Sequence, residues 1–329
     1  MPVQGVKELF MRIVFATKVA RAPVLKALES AANVELIACN DLSEVAVHVQ
    51  DADALVISDP RGPEGKAISD ALKREGCRVK WVQAVTAGVA GLLAHGVPPH
   101  VVLTNQGGAV APAVAEHAMT MVLTMTRRMG EIIDRSGKKQ WNKEFDPALM
   151  AVEGKVMAIV GYGNIGRELA KRAKGFDMKL IGVSRSGKSD DLLDESVPME
   201  RLHEVLAKAD VVALTVASAP ATRHLINAQA FAAMKKGAYF VNVTRGETVD
   251  QVALKSALDS GHLAGAFLDV TDPEPLPASD PLWDAPNLLI SPHTAGAGST
   301  QTGLRIARVV LANVKRFQEG QPLLHTVES

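Results

Sequence analysis

One stretch constrains this chain more than any other: Val156 to Gly166, VMAIVGYGNIG, where an apolar run ends in glycines at a G-x-G-x-x-G spacing. The run from Val156 to Val160 lacks polar alternation, as expected of a strand buried on both faces of a parallel sheet. Gly161, Gly163 and Gly166 then open a segment, Asn164 to Lys174, with helical apolar spacing at Ile165, Leu169 and Ala173. The glycines serve three separate physical ends, namely a tight turn, room for backbone to approach a pyrophosphate, and close contact between helix and strand. Free N–H groups and the dipole at the helix N-terminus favour phosphate charge. The hexapeptide alone is weak, but its strand-turn-helix setting makes it a dinucleotide-site candidate that includes Tyr162, Asn164 and Ile165.

The 329 residues suffice for two domains, each with its own core. Lys plus Arg and Asp plus Glu are both 36, so the balanced charge implies no general attraction to nucleic acid or membrane. The N-terminal apolar run is too short for a signal segment, and no stretch is long enough to cross a bilayer, so a cytoplasmic protein is expected. Cys39 and Cys77 have no Cys or His at metal-ligand spacing and read as reduced core residues.

From Met11 to about Gln106 five apolar runs (MRIVFAT, VELIACN, ADALVIS, VKWVQAV, VVLTNQ) alternate with helix-like segments at Val24 to Ala32 and Ala67 to Glu75. That alternation predicts a parallel α/β domain, here without a glycine fingerprint of its own. Ala111 to Arg135 reads as one long helix, followed by a polar stretch in which Trp141 and Phe145 stand isolated. Such aromatics pack either on a partner or on their own domain. From Val156 the alternation resumes, with strands at Leu180 to Ser184, Val211 to Val216, Tyr239 to Val243, Ala264 to Asp269 and Leu288 to Ser291. Helical signals lie at Glu200 to Lys208, Ala228 to Met234 and Gln251 to Ser260, which completes the pattern of a doubly wound sheet. Ser299 to Gln318 reads as a last long helix with Leu304, Ala307, Val310, Leu311 and Val314 on its apolar face.

Ser184, Arg185 and Ser186 follow the second strand of this sheet, where an NAD-preferring fold places an acid for the ribose 2′-hydroxyl. A carboxylate repels a 2′-phosphate, whereas hydroxyls and a guanidinium fork bind one, so the turn leans to NADP; a solvated basic turn beside an NAD site is the alternative. Three further residues follow apolar strands: Arg245, Glu274 and His293. Strand carboxyl ends face the ligand crevice in an open α/β sheet, so the three are candidates for one site. Their types suit carbonyl reduction. As hydride reaches the carbon of a 2-oxo acid, an imidazole can deliver the proton, a carboxylate can orient that imidazole, and a guanidinium can polarise the carbonyl. No metal is required.

These residues, with the stretches ADVVALTVASAPATRHLIN, MKKGAYFVNVTRGETVD, GAFLDVTDPEPLP and PLWDAPNLLISPHTAG in that order, give a chain that resembles the D-isomer-specific 2-hydroxyacid dehydrogenases over nearly its whole length. That family includes glyoxylate/hydroxypyruvate reductases, D-lactate dehydrogenases, phosphoglycerate dehydrogenases and formate dehydrogenases. The resemblance implies two Rossmann-like domains with the active site in the cleft between them, and a catalytic trio of His293 as acid/base, Glu274 as its partner and Arg245 on the substrate. It places Thr244, Asp269 and His293 at the cofactor, with Asp269 near the nicotinamide carboxamide. It sets the backbone of Ala87, Gly88 and Val89 against the substrate carboxylate, and Asn105 near a hinge.

The same resemblance divides the chain into a substrate domain at residues 1–106, a dinucleotide-binding domain at 107–296, and a C-terminal helix at 297–329 that returns to the first. It implies a homodimer through the cofactor domain, which favours Trp141 as an interface residue. Many members carry His or Asn and then Pro where Thr215 and Ala217 stand here, so cofactor contacts on that side are open. Ser184 in place of the ribose acid fits the NADPH-using glyoxylate/hydroxypyruvate reductase branch. A small 2-oxo acid is the expected substrate. A bulkier aryl or branched 2-oxo acid is the alternative, with the loop near Ser58 to Gly62 shaping the pocket and Arg61 more readily a solvated turn residue. A nucleotide-sensing corepressor of the same fold is disfavoured, since the chain has no long disordered tail.

Overall fold

The computed structural model describes residues 10–217 and 219–327. The start of the N-terminus read above, residues 1–9, and Ser218 in the 209–227 stretch lie outside the described residues. No described helix is long and apolar enough to cross a membrane. The chain forms two compact units: residues through Val110 with those from Ser299 on, and Ala111–Gly298.

In the first unit, strands β1 (Met11–Ala16), β2 (Val34–Ala38), β3 (Ala54–Ile57), β4 (Trp81–Ala84) and β5 (Val102–Thr104) form a parallel sheet in the order β2-β1-β3-β4-β5. Each lies in one of the five predicted apolar runs, and β3 and β4 are buried along their whole length. Helix Thr300–Gln318, capped by Ser299 accepting from Thr302 N–H, packs on helix Arg21–Glu29 of this unit. Its buried stripe is Gly303, Ile306, Ala307, Val310, Asn313 and Val314, while Leu304, expected on that face, is exposed. The stripe follows the i, i+3, i+4, i+7 positions from Gly303, and Leu304 falls one position off it. Each fully buried Ile or Val contributes roughly 1.5–3 kcal/mol. A polar key fixes the register: buried Asn313 donates to Gln83 Oε1 (2.9 Å) and accepts from Leu324 N–H (2.7 Å).

The second unit holds β6 (Val156–Val160), β7 (Lys179–Ser184), β8 (Glu195–Pro198), β9 (Val211–Leu214), β10 (Ala238–Asn242), β11 (Leu263–Leu268) and β12 (Leu288–Ile290), all parallel, in the order β12-β11-β10-β9-β6-β7-β8. Both sheets are therefore parallel α/β structures, and in the second the order reverses beside β6. Strand β8, ESVP, has no apolar run to announce it; it is a four-residue edge strand ending in Pro, as edge positions allow.

The predicted helix Ala111 to Arg135 is two helices, Ala111–Thr126 and Met129–Gly137, broken at Arg128, which adopts φ 52. That left-handed residue costs about 1–2 kcal/mol. Its guanidinium is held by Glu131 (3.0 Å) and Asn287 (3.4 Å), which compensates the strain at the bend. The first helix is buried along one side and the second buries no residue, so the break separates a core helix from a surface one. Both cysteines are free; Cys39 is buried, and burial pushes its thiol up, while Cys77 is half-buried.

Candidate active site

In a parallel sheet every strand ends on the same edge, and at that edge six neighbouring strands deliver polar or glycine-rich turns. In sheet order these are His293 after β12, Glu274 after β11, Arg245 after β10, Thr215 after β9, the glycines after β6 and Ser184 closing β7. Strands lie about 4.8 Å apart, so the paths leaving β10 and β12 start about 10 Å from each other.

The three glycines of the turn differ as their spacing predicts. Gly161 has φ 99, and a Cβ there would lie 2.4 Å from Val216 N, so both conformation and crowding exclude a side chain. A Cβ on Gly166 would meet Ile159 Cγ2 at 3.0 Å, the close helix-to-strand contact. A Cβ on Gly163 would have no neighbour within 4 Å. Helix Asn164–Lys174 starts directly after Gly163 with no side-chain cap on its N-terminal N–H groups. An open glycine before uncapped N–H groups is the cradle a pyrophosphate fits. Thr215 Oγ1 donates to Gly161 O at 2.8 Å and so braces the turn from β9. Asn164 is exposed and Ile165 half-buried.

Tyr162 N–H reaches Val183 O (3.1 Å), but its hydroxyl is buried without a hydrogen-bond partner among the described residues. Burial, reinforced by the Asp190 carboxylate, pushes that phenol above its ordinary range. Asp190 itself is held down at about 2 by Leu192 N–H and the Arg167 guanidinium. Ser184 Oγ accepts from Gly187 N–H (3.1 Å) and Ser186 Oγ from Lys188 N–H (3.4 Å), which folds the turn and leaves both hydroxyl hydrogens available. Arg185 is exposed and forms no ion pair or hydrogen bond among the described residues. The acids that follow, Asp190 and Asp191, pair with Arg167.

His293 Nδ1 lies 2.6 Å from Glu274 Oε1, and both side chains are partly exposed. The imidazole's backbone has φ 54, a left-handed conformation for a non-glycine residue, fixed by His293 N–H donating to Asp269 O (2.8 Å) and Ser291 O (3.0 Å). Asp269 is buried, and its carboxylate accepts from Ser291 Oγ (2.5 Å), Thr294 N–H (2.9 Å) and Ala295 N–H (3.0 Å). The carboxylate expected beside the nicotinamide carboxamide is thus committed largely to the turn that carries His293. A cavity of about 470 Å³ borders the pair, with Leu276, Trp283 and Ile290 forming its apolar wall.

Arg245 donates from Nη1 to Thr244 O (2.7 Å) and is not hydrogen-bonded to Glu274 or His293 among the described residues. Its turn is locked by a polar cluster that residue spacing alone does not announce. Buried Asn242 accepts from Thr244 N–H (2.9 Å) and Oγ1 (2.7 Å), while Thr248 Oγ1 donates to Arg245 O (2.6 Å). A Cβ on the next residue, Gly246, would lie 2.0 Å from Thr271 C, so the Arg245 turn touches the Glu274 loop backbone to backbone. Asn242 inside an apolar strand was the available signal, because a buried amide needs partners.

In the first unit, Ala87, Gly88 and Val89 form a loop whose N–H groups make no hydrogen bond among the described residues. The loop is held from outside: Thr86 Oγ1 donates to Gly88 O (2.9 Å), Asn105 Nδ2 to Ala87 O (3.2 Å), and Asp59 accepts from Gly91 and Leu92 N–H, each at 2.9 Å.

The NAD binding domain of D-isomer specific 2-hydroxyacid dehydrogenases matches residues 119–295. This chain belongs to that family. A glyoxylate reductase of Korarchaeum cryptofilum is 36% identical to this family member over 225 residues, 67% of each chain. The crystal structure of a D-isomer specific 2-hydroxyacid dehydrogenase family protein from Aeromonas salmonicida covers 96% of this chain and 98% of its own with a TM-score of 0.85 and 28% identity. A D-isomer specific 2-hydroxyacid dehydrogenase from Xanthobacter autotrophicus, solved with NADPH and MES, matches with a TM-score of 0.79 and 26% identity over 97% and 98% of the two chains. This 2-hydroxyacid dehydrogenase is accordingly an oxidoreductase that uses a nicotinamide cofactor, and its two parallel sheets are those of the family.

Proposed function

We propose that the protein reduces a small 2-oxo acid of the glyoxylate or hydroxypyruvate kind to the D-2-hydroxy acid, with NADPH preferred over NADH. The observation that carries this reading is the 2.6 Å contact between His293 Nδ1 and Glu274 Oε1 on the sheet edge that also bears the glycine turn. Gly161, Gly163 and Gly166, with the N–H groups of Asn164 and Ile165, would hold the pyrophosphate. Tyr162 would line the turn, and Thr244, Asp269 and His293 would lie beside the nicotinamide. When bound, the cofactor supplies the hydride.

The chain's own groups do the rest. Glu274 fixes the imidazole by its Nδ1–H, so Nε2 is the nitrogen that holds the proton and passes it to the substrate oxygen. Arg245 spends one guanidinium donor on Thr244 O and keeps the remaining donors for the substrate carbonyl and carboxylate. The unpartnered N–H groups of Ala87, Gly88 and Val89 receive the carboxylate. The unit containing that loop is then the substrate domain, and Ala111–Gly298 the cofactor domain.

The preference for NADPH rests on Arg185 and on the hydroxyls of Ser184 and Ser186, at a strand end without an acid; the NADPH complex of the Xanthobacter relative supports it. A cytoplasmic homodimer through the second unit remains part of this reading. Trp141 is 93% exposed, and Met129, Ile133 and Leu149 are exposed nearby in sequence, an apolar surface that a second copy would cover.

A panel of 2-oxo acids assayed with NADPH and NADH, on wild type and His293→Ala, tests the proposal. Glyoxylate or hydroxypyruvate with NADPH should give the highest kcat/KM. The variant should lose on the order of 10²–10⁴-fold while it still binds NADPH. Preference for NADH would remove the reading of the Ser184 turn, and undiminished turnover in the variant would remove the acid role of His293.

A further inference from the structure

Nothing in the sequence separates His117 from Glu116 and the threonines that also interrupt the mostly apolar helix Ala111–Thr126. In the structure its Nε2 lies 3.3 Å from Ser291 Oγ and 3.8 Å from Asp269 Oδ1, and its ring tilts against Phe267 at 5.3 Å between centroids. Ser291 has one hydroxyl hydrogen, and it points to the Asp269 carboxylate at 2.5 Å. An ionised carboxylate can only accept, so the lone pairs of Ser291 Oγ are what face His117, and Nε2 must carry the hydrogen. The direction is fixed: His117 Nε2–H to Ser291 Oγ–H to Asp269 Oδ1. Asp269 in turn takes the N–H groups of Thr294 and Ala295, and its backbone oxygen takes His293 N–H. Asp269 thus takes three consecutive backbone N–H groups of the left-handed turn, those of His293, Thr294 and Ala295, and its carboxylate in turn rests on Ser291 and His117.

We propose that His117 is a positioning residue for the acid–base pair, acting through Ser291 and Asp269 on the turn that carries His293. It touches neither the imidazole nor Glu274. It removes the freedom of Ser291 to rotate away from Asp269, and so keeps Asp269 aimed at the turn. This rests on the reading of His293 as the acid, and the test separates the two.

The ring nitrogens of His293 are followed by NMR titration in the full-length wild type, in His117→Leu, which has no donor, and in His117→Gln, whose amide can replace Nε2–H. The His293 signal is assigned by its absence in His293→Ala. Steady-state reduction of glyoxylate with NADPH is measured on the same samples. His117→Leu is expected to move the His293 titration midpoint by about half a unit or more and to lower kcat by about 10–100-fold, with KM changed less than about threefold. His117→Gln is expected to recover both to within about threefold. His117→Leu combined with Ser291→Ala should lose no more than the worse single variant, because both cut one chain of bonds. Ser291→Ala carries the same readouts if His117→Leu does not fold. An unmoved His293 titration with kcat within about twofold of wild type, or a folded His117→Gln no better than His117→Leu, overturns the proposal. If wild type turns over no 2-oxo acid, the functional reading fails, and the titration arm still decides whether His117 positions His293.

Discussion

Replacing Gly163 by Ala separates the cofactor seat from the fold that surrounds it. The backbone there is extended (φ −103, ψ −152), and an added methyl would meet no protein atom within 4 Å. The folded protein should therefore accept alanine without strain, and the stiffer unfolded chain should offset any small loss, since such replacements at compatible sites are worth about +0.4–1 kcal/mol. A pyrophosphate would meet that methyl. If it is forced off one or two backbone N–H groups, the loss is that of charge-assisted hydrogen bonds, about 1.5–3 kcal/mol each. About 3 kcal/mol in all corresponds to roughly a 100-fold rise in Kd. NADPH binding would be followed by fluorescence or calorimetry and the fold by thermal denaturation without cofactor. The expected pair of results is a Tm within about 2 °C of wild type and a Kd for NADPH raised about 100-fold. Gly161→Ala is the contrast: at φ 99 and 2.4 Å from Val216 N it should lower Tm strongly. A Gly163→Ala variant that binds NADPH within threefold of wild type would refute the placement of the pyrophosphate.

Two further outcomes follow from the geometry. Gly246→Ala drives a Cβ to 2.0 Å from Thr271 C, which should cost about 1–3 kcal/mol, lower Tm by several degrees, and reduce kcat/KM about 100-fold as the Arg245 turn is pushed off the Glu274 loop; denaturation with steady-state kinetics checks both, and unchanged kcat/KM would mean the contact does not set the site. Asp190 is depressed to about 2 in the fold against about 3.9 unfolded, so its contribution is present above pH 4 and is lost as pH falls through 2. Arg167→Ala should therefore lower the urea midpoint at pH 6 and converge with wild type near pH 2; an equal gap at both pH values would show that the Arg167 effect does not run through Asp190.

Much of the fold was legible because each buried strand of a parallel sheet needs an uninterrupted apolar run, and such runs are visible in sequence. Strand β8 was not, since an edge strand needs no apolar run. The bend at Arg128 was hidden because both of its helices carry apolar residues at helical spacing, and one of the contacts that hold the bent residue comes from Asn287, far along the chain. Arg245, Glu274 and His293 could be picked out as candidates for a simple reason: each follows an apolar strand, and strand ends share an edge. The residues around them were less legible: Asn242 stood out only as an amide in an apolar strand, and Thr248, Ser291 and His117 bond to partners that sequence spacing does not reveal. Leu304 failed for a related reason, since two faces of one helix can carry apolar residues while packing chooses between them.

On the proposed function, a division of labour accounts for the partial exposure of Glu274 and His293 beside buried supports. In the proposed reaction Glu274 and His293 would meet substrate; their side chains are about 40% accessible, and a contact as exposed as theirs contributes little to folding. Their placement therefore cannot come from their own pairing. It comes from Asp269 at 2% exposure, which fixes the His293 turn, and from Gly246, which lets the Arg245 turn rest directly on the loop leading to Glu274. Substitutions at these supports should therefore reduce catalysis without removing any group that does the chemistry, whereas substitutions at Glu274 or His293 should leave the fold almost unchanged.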